Sequence, residues 1–282
     1  MSAVRAEHTA RTGPARSLAD LTRQALAGDF GPDPADSRIA LAFTTSQAVR
    51  HDGRAGGYRN EVLSLRLAEA VGSCAVEPGT LPGSALDDCV GADIARLLAH
   101  PLPAIRVAAL DAYLTHVLPH TPENGARPFP LPAGTSLHKS RARARAVVGL
   151  LPAAPAVRRV LVVGVVNSLL ERLRELGIGY VPCDLKGGST EWGEPIRADA
   201  HAELAGCDAI LASGMTLGND TFEPLLEHAR ATGKPFVLFA QTGSGVLPRF
   251  LGAGVTAVSA EPYPFFWLDG GPGMLQRYGG AR

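Results

Sequence analysis

Lysine is scarce in this chain of 282 residues, where only Lys139, Lys186 and Lys234 occur. Arginine supplies the other basic groups, and the 27 Lys and Arg residues balance 27 Asp and Glu residues, so the formal net charge is zero. A neutral chain lacks the strongly charged surface that attracts nucleic acid or an anionic membrane. The composition therefore argues against both partners and favours a small-molecule substrate.

Long apolar runs and paired cysteines are missing as well. No run reaches the roughly 18 residues of a membrane span, and the N-terminus has no apolar stretch of signal-peptide length. The four cysteines, at positions 74, 89, 183 and 207, show no CxxC spacing. We therefore expect a cytoplasmic protein with free thiols and without a bound metal.

A chain of this length, with 46% hydrophobic residues, can bury a large core and is typical of two domains. We predict a disordered tail over residues 1–15, a small α+β domain over 16–118, and a Rossmann-like α/β domain over 138–282. Residues 119–137 between them are predicted to be a linker, since five prolines and two glycines fall within residues 119–135.

The N-terminal half contains helical and extended patterns. Apolar residues at helical spacing predict a helix from Ser17 to Ala27, with Ser17 as its N-cap. Ile39 to Phe43 is predicted to be a strand, and the stripes between Gly83 and His116 predict helices separated by prolines. His116 and His120 have the i, i+4 spacing of a metal pair, but Pro119 breaks that helix, which argues against a metal site.

The polar, glycine-rich segment from His51 to Asn60 is predicted to be a loop. One interpretation is a hairpin turn with solvated charges. The other is a loop that reaches over a ligand site and supplies Tyr58 or an arginine to a substrate, as loops on rigid scaffolds often do. In the second interpretation His51 is the candidate general base and Tyr58 a candidate catalytic residue.

The strongest pattern runs from Arg159 to Leu185. An apolar run with Gly164 near its end, an amphipathic segment from Asn167 and a second apolar run leading to Asp184 predict a parallel βαβ unit. In nucleotide-binding folds of this kind, a carboxylate at the position of Asp184 accepts hydrogen bonds from the ribose hydroxyls. The alternative is that Gly164 is only a turn and Asp184 only a strand-end residue.

The turn after the first strand lacks two of the three glycines of a dinucleotide fingerprint. It reads Gly164-Val165-Val166-Asn167-Ser168, and its β-branched residues leave little room for a pyrophosphate. We therefore expect an adenosyl compound without a diphosphate, with S-adenosylmethionine preferred over NAD or FAD.

Two further loops follow predicted strands, Gly214 to Thr221 and Gln241 to Ser244. With the first strand central, a crevice is expected above the carboxyl ends of the first and fourth strands, where the three loops converge. Trp192 either stacks on the adenine or covers a helix end, and Asn219 either binds substrate or caps a helix. The candidate cofactor-binding residues are Gly164, Asn167, Asp184, Leu185, Trp192, Gly214, Thr216, Thr221 and Ser244, and Asn219 is a candidate catalytic residue.

Several segments resemble a known family. Val160 to Leu170, the stretch from Asp208 through Gly214 to Thr221, and Leu247 to Val255 are similar to the Rossmann-like domain labelled "putative heavy-metal chelation". Gly83 to Tyr113 resembles the enolase-N-terminal-like domain that commonly precedes it. The resemblance covers most of residues 38–275 and implies the two-domain fold. It does not imply metal ligands, because the cysteines are scattered.

One loop departs from that family. Where the family tends to have Gly-Pro-Ser-Thr-Pro-Leu, this chain has Ala240 to Leu247 with the sequence AQTGSGVL, which suggests a different ligand. Three hypotheses follow: an S-adenosylmethionine-dependent enzyme of alkyl transfer or intramolecular cyclisation, a protein that binds a metal or metal chelate, and a non-catalytic ligand-binding or assembly protein. The aromatic tail from Tyr263 to Leu275 is interpreted as packing or as a homodimer interface.

Overall fold

The computed structural model describes residues 13–51, 54, 56–153 and 155–280. Most of the predicted disordered tail, residues 1–12, lies outside the described residues, as do Asp52, Gly53 and Ala55 of the predicted loop. Within the described part, Ala15 is buried and its N–H group donates to the carbonyl of Arg249.

The N-terminal part is a three-stranded antiparallel sheet with helices. It contains α1 (Leu18–Leu26), β1 (Leu41–Arg50), β2 (Gly57–Leu67), β3 (Ala70–Val76), α2 (Ala85–Cys89), α3 (Ile94–Leu98) and α4 (Pro103–Val117). Ser17 caps α1 by accepting a hydrogen bond from the Asp20 N–H group, as predicted. The predicted strand is longer than expected, and residues 57–60 of the predicted loop belong to β2, because β1 pairs with β2 along its whole length as a hairpin.

The second part is built around a seven-stranded sheet. Its elements are β4 (Arg127–Leu131), α5 (Ser136–Val148), β5 (Arg159–Val163), α6 (Asn167–Glu175), β6 (Gly179–Cys183), α7 (Ala200–Glu203), β7 (Ala209–Ser213), α8 (Phe222–Thr232), β8 (Phe236–Ala240), β9 (Ala257–Ala260) and β10 (Gly273–Gly279). Strands β5 to β9 are parallel, whereas β10 and β4 continue the sheet in antiparallel pairing. The predicted α/β class, with a smaller α+β part before it, is confirmed.

The order of the parallel strands corrects one prediction. The sheet order is β4-β10-β9-β8-β7-β5-β6, so β5 lies between the second and the third parallel strand. The prediction that the crevice lies above the first and fourth parallel strands was therefore wrong. After β6 the chain crosses β5 to reach β7, and the change of direction therefore lies above the carboxyl ends of β5 and β7.

Two segments outside the parallel strands complete the sheet. Residues 127–131 of the segment predicted as a linker form the edge strand β4, and the end of the aromatic tail forms its partner β10. Pro128 and Pro130 lie in that edge strand, where a missing N–H group does not interrupt a ladder on both sides.

Alternating residues of the central strands face two apolar layers. Val160 and Val162 of β5 pack with α6, whereas Leu161 lies in the core that also contains the N-terminal helices. Both faces of the sheet are therefore covered, as a parallel sheet requires. The N-terminal part and the sheet share one continuous core.

A buried carboxylate joins the two parts of that core. Asp111 of α4 accepts hydrogen bonds from the N–H groups of Ser73 in β3, at 2.8 Å, and of Gly245 in the loop after β8, at 2.6 Å. Burial raises the pKa of Asp111 to about 7, although the backbone hydrogen bonds oppose that rise. The loop from Thr242 to Val246 is thereby held against α4.

We expect Asp111→Asn to lower the free energy of unfolding by about 1–3 kcal/mol at pH 8. The amide has one oxygen, so it can accept from the N–H group of Ser73 or from that of Gly245 but leaves the other without an acceptor. Denaturant unfolding monitored by circular dichroism measures this loss. Asp87→Asn, at an exposed position of α2, serves as the control. Equal stability of the two variants would contradict a joining role for Asp111.

The half-buried His120 contacts the last strand and does not continue the helix that carries His116. The helix α4 ends at Val117, and His120 Nδ1 lies 2.7 Å from the hydroxyl group of Tyr278. Burial lowers the pKa of His120 to about 4, with Arg249 contributing in the same direction.

This lowered pKa predicts a loss of stability in acid. Below pH 6.5 the unfolded chain takes up the His120 proton before the folded chain does, so the stability present at pH 7 is lost as the pH falls toward 4. We expect His120→Gln to remove about 2 kcal/mol of the difference in unfolding free energy between pH 7 and pH 5. The exposed His138 provides the control His138→Gln, and an unchanged pH dependence in His120→Gln would refute the assignment.

Candidate ligand-binding site

A cavity of about 1450 Å³ opens at the carboxyl ends of β5, β6, β7 and β8. The β1–β2 hairpin forms its roof, and α5, α6 and the aromatic tail complete its walls. Parallel α/β sheets bind their ligands at this position, where the connections change direction. The predicted convergence of three glycine-bearing loops at one end of the sheet fits this cavity.

Gly164 forms the tight turn between β5 and α6. Its φ angle is +85°, a region that disfavours other residues, and its N–H group donates to the carbonyl of Cys183 at 2.8 Å. A Cβ atom at Gly164 would lie 2.8 Å from the Cβ atom of Ser213. Both the backbone conformation and the close approach of β7 therefore require glycine here.

Asp184 follows β6 and lies next to this turn. Its Oδ2 atom accepts from the N–H group of Val165 at 3.3 Å, and its Oδ1 atom accepts from the N–H group of Lys186 at 3.1 Å. The side chain is half-buried on the cavity wall. Each oxygen retains capacity to accept from a further donor, because a carboxylate offers about four lone-pair sites.

Asn167, the first residue of α6, also lines the cavity. Its Oδ1 atom is buried, and no described residue donates a hydrogen bond to it. The adjacent Ser168 is held through its Oγ atom, 2.8 Å from Ser140 Oγ on α5. A buried acceptor without a protein donor is costly, and a ligand donor would remove that cost.

The loop after β7 uses much of its polarity locally. Asn219 Oδ1 accepts from the Thr221 hydroxyl group at 2.6 Å, and the Thr216 hydroxyl group donates to the Ser213 carbonyl at 2.8 Å. Thr216, Asn219 and Thr221 nevertheless line the cavity, whereas Gly214 packs against the backbone of Thr242. Asn219 therefore serves the start of α8 as well as the wall.

Ser244 does not reach the cavity wall. It is buried in the loop that Asp111 binds, and no described residue hydrogen-bonds to its Oγ atom. The neighbouring Gly245 packs so closely on α4 that a Cβ atom would lie 2.5 Å from the hydroxyl oxygen of Thr115. The loop that departs from the family pattern is thus in contact with the N-terminal part, and its Thr242 lines the cavity.

Tyr58 and His51 both line the cavity from the hairpin above it. Their rings are 5.9 Å apart, and His51 Nδ1 lies 3.2 Å from Ser136 Oγ at the start of α5. Burial raises the pKa of Tyr58, and the positive charge of Arg143 partly offsets that rise. The hairpin thus brings two of the predicted catalytic residues to the cavity.

Leu185 and Trp192 lie on the loop that follows β6. Leu185 is largely exposed. The guanidinium carbon of Arg174 lies 4.8 Å from the centroid of the indole ring of Trp192, so the two groups stack. Because Arg174 lies in the last turn of α6, Trp192 covers a helix end. It also borders the cavity, so the two interpretations of this residue are compatible.

Ion pairs attach the hairpin to the second part of the chain. Arg54 contacts Glu171 of α6 at 3.1 Å and Glu191 at 2.7 Å, and Arg141 of α5 makes a two-point contact with the same Glu171. Arg141 lowers the pKa of Glu171, and burial opposes that shift. Such linked pairs hold long side chains at a smaller entropic cost than isolated ones.

Arg143, Phe266 and Trp267 are among the cavity residues that the sequence analysis did not identify. Arg143 lies on α5, and Phe266 and Trp267 belong to the tail interpreted as packing or as an interface. The only local signal for Arg143 is its place between two other arginines, Arg141 and Arg145, on one helix. Arg143 is buried whereas Arg141 and Arg145 are exposed. This difference arises only when α5 packs on the sheet.

Among residues 13–51, 54, 56–153 and 155–280, no three His, Cys, Asp or Glu residues are grouped as a metal site requires. The cysteines are buried, and burial raises the pKa of Cys74 and of Cys183 to about 12. Such thiols are poor sources of the thiolate that binds metals.

The fold and the cavity define a Rossmann-like α/β protein with a cavity at the switch point of its sheet. Residues 147–260 match the model of the family DUF364, described as "Putative heavy-metal chelation". The family resemblance inferred from the sequence is therefore confirmed for this segment. No curated protein matches the chain.

Two solved structures are similar to the chain along most of its length. A protein of unknown function from the DUF364 family in Desulfitobacterium hafniense DCB-2 has a TM-score of 0.55 and 16% identity, with 86% of each chain covered. A second one, from Pyrococcus horikoshii, has a TM-score of 0.52 and 16% identity, covering 85% of this chain and 84% of that one. At this identity the likeness establishes the fold alone.

Within the described residues, no helix combines the length and the apolar character needed to cross a membrane.

We expect Gly164→Ala to destabilise the protein more than Gly177→Ala. Both glycines have a positive φ angle, so both substitutions cost about 1 kcal/mol of backbone strain. Only Gly164 also meets a neighbouring strand, whereas Gly177 faces open space, and overpacking adds about 1–3 kcal/mol. Thermal unfolding of the two variants measures the difference, and equal losses would refute the close contact with β7.

Proposed function

We propose that the cavity binds an adenosyl compound without a diphosphate, with S-adenosylmethionine as the preferred candidate. On this proposal the chain is an enzyme of alkyl transfer, of a methyl or an aminocarboxypropyl group, or of intramolecular cyclisation. The observation that carries the proposal is the contact of Asp184 with the turn at Gly164, above the carboxyl ends of two neighbouring parallel strands.

Asp184 would receive the ribose. A carboxylate at the end of the second parallel strand accepts hydrogen bonds from the two vicinal hydroxyl groups of a nucleoside. Each oxygen of Asp184 already accepts from one backbone N–H group, which fixes the direction of the carboxylate. The residue is thus oriented before a ligand arrives, which reduces the entropic cost of binding.

The turn at Gly164 argues against a diphosphate. Val165 and Val166 stand where a dinucleotide fingerprint has glycine or another small residue, and both are half-buried on the cavity wall. Their branched side chains occupy the space in which a pyrophosphate approaches the backbone. An adenosyl group joined to sulfur has no such requirement.

Aromatic side chains would contribute at two places. Trp192, beside the loop that carries Asp184, would border the adenine, and Tyr58 would place its ring near a sulfonium cation. In such an enzyme the chain works mainly by positioning an electrophilic carbon opposite a nucleophile. Asn167, Asn219, Thr216 and Thr221 would hold polar groups of the ligands, and His51 would take up a proton if the nucleophile carries one.

A thermal-shift panel tests the proposal. It contains S-adenosylmethionine, S-adenosylhomocysteine, methylthioadenosine, NAD, ATP and divalent metal ions. A ligand at about 100 times its Kd stabilises the folded state by roughly 2.7 kcal/mol, which raises Tm by several degrees. A response to the adenosyl compounds alone supports the proposal. A response to metal alone would favour the metal-binding function that the family description names, and silence would favour a non-catalytic assembly protein.

Asp184→Asn should weaken binding of adenosine-containing ligands by about tenfold, because an amide replaces one acceptor with a donor facing the ribose hydroxyls. Titration calorimetry with methylthioadenosine measures the loss. The matched ligand is the 2′,3′-dideoxy form, which should bind the wild type and Asp184→Asn with similar affinity. A tenfold loss for both ligands would show that Asp184 acts through the turn and not through the diol.

A further inference from the structure

Arg143 is the most deeply buried cation on the cavity wall. It lies on α5 with 7% of its surface exposed, and its guanidinium group sits 4.7 Å above the ring of Phe239 and 5.9 Å from the ring of Phe266. The two rings hold the guanidinium plane in place. A cation in such a position loses much of its hydration, so its charge is strongly felt by any group that enters the cavity.

The protein satisfies only part of this guanidinium group. Arg143 Nε donates to Glu261 Oε1 at 2.7 Å, and Glu261 is itself buried. No described residue accepts a hydrogen bond from Nη1 or Nη2 of Arg143, and Glu261 Oε2 has no described partner either. Arg143 and Glu261 are therefore joined by a single hydrogen bond, and the two terminal nitrogen atoms of the guanidinium group can donate to another acceptor.

A second donor without a partner lies on the same wall. Trp267 follows Phe266, its ring stacks on Phe265 with centroids 5.2 Å apart, and its Nε1 atom is buried with no acceptor among the described residues. Phe266 and Trp267 both line the cavity. An indole N–H group and the free edge of a guanidinium group on one wall form a set of donors that matches an anion with two oxygens.

A buried acceptor lies about one helical turn away. Arg143 is three residues after Ser140 on α5, and Ser140 Oγ contacts Ser168 Oγ, next to Asn167. Residues at this spacing lie on the same face of a helix. The unpartnered Oδ1 atom of Asn167 is thus suited to accept from an ammonium group near a carboxylate bound by Arg143.

We propose that Arg143 and Trp267 form a carboxylate subsite, so that the ligand of the cavity carries an α-amino acid group. The inference rests on the proposed function in taking the cavity as the ligand site. It adds that the aminocarboxypropyl end of S-adenosylmethionine, or of a related amino acid conjugate, binds at the Arg143 wall while the ribose lies at Asp184. Arg143 is a binding residue in this arrangement and Glu261 its positioning partner.

The experiment compares S-adenosylmethionine with its decarboxylated form, which differs only in the carboxylate, by titration calorimetry on the full chain. Wild-type protein should bind S-adenosylmethionine about tenfold or more tightly than the decarboxylated ligand. Arg143→Lys keeps a cation beside Glu261 but loses the planar fork, and it should abolish most of that preference while changing the affinity for the decarboxylated ligand less than about threefold.

Two further variants complete the experiment: one removes the indole donor, and the other is a control for the loss of an arginine from α5. Trp267→Phe retains an aromatic ring against Phe265 and should reduce the preference by about threefold to tenfold. Arg145→Lys, at an exposed position of the same helix, should leave it unchanged. Equal affinity of the wild type for both ligands would overturn the carboxylate subsite and leave the adenosyl proposal standing. No binding of either ligand would overturn both, and an undiminished preference in Arg143→Lys would overturn the role of that residue.

Discussion

The buried carboxylate of Asp111 joins the two halves of this protein. It accepts N–H groups from β3 and from the loop after β8, which lie 172 residues apart in the chain between Ser73 and Gly245. The same loop carries Thr242, whose Oγ1 atom accepts from the N–H group of Ala75. The hairpin that roofs the cavity is the continuation of this N-terminal sheet, so the shape of the cavity depends on the junction at Asp111. Burying a charge is costly unless hydrogen bonds surround it, and here backbone N–H groups meet both oxygens.

The cavity is unusual in how its polar groups are distributed. Asp184 is oriented by two backbone N–H groups. Trp267 and Asn167 each have a buried polar atom for which the described part of the chain provides no partner, and Arg143 is hydrogen-bonded there only through its Nε atom. Folded chains rarely leave buried polar atoms unsatisfied. Asn167 Oδ1 and Trp267 Nε1 are two such atoms on residues that line the cavity, and this is a physical reason to regard it as a ligand site, independent of any family likeness.

Part of the site could be predicted because its signals are local. The apolar runs around Gly164 and the acidic residue at the end of the next strand predicted the βαβ unit. In the structure Asp184 accepts a hydrogen bond from Val165, the residue after Gly164. The hairpin was only partly predicted, although Leu63, Leu65 and Leu67 alternate with the polar Ser64 and Arg66 in the period of a strand. The glycines near its tip favour a loop, whereas the alternation favours a strand. Ser244 and Gly214 were assigned to the ligand for their loop chemistry, but Ser244 is buried away from the cavity and Gly214 packs against the backbone of Thr242.

The sequence by itself determined the sheet-and-helix class, the turn at Gly164 and the loops at the carboxyl ends of the strands. These features follow from the period of apolar residues and from the backbone freedom of glycine, which act over a few residues. Only the tertiary structure decided that β7 lies beside β5, that the aromatic tail borders the cavity, and that Arg143 faces it while Arg145 faces outward. Those outcomes depend on which strands pair and on how α5 packs against the sheet, and long-range packing of this kind leaves no local signal in the order of the residues.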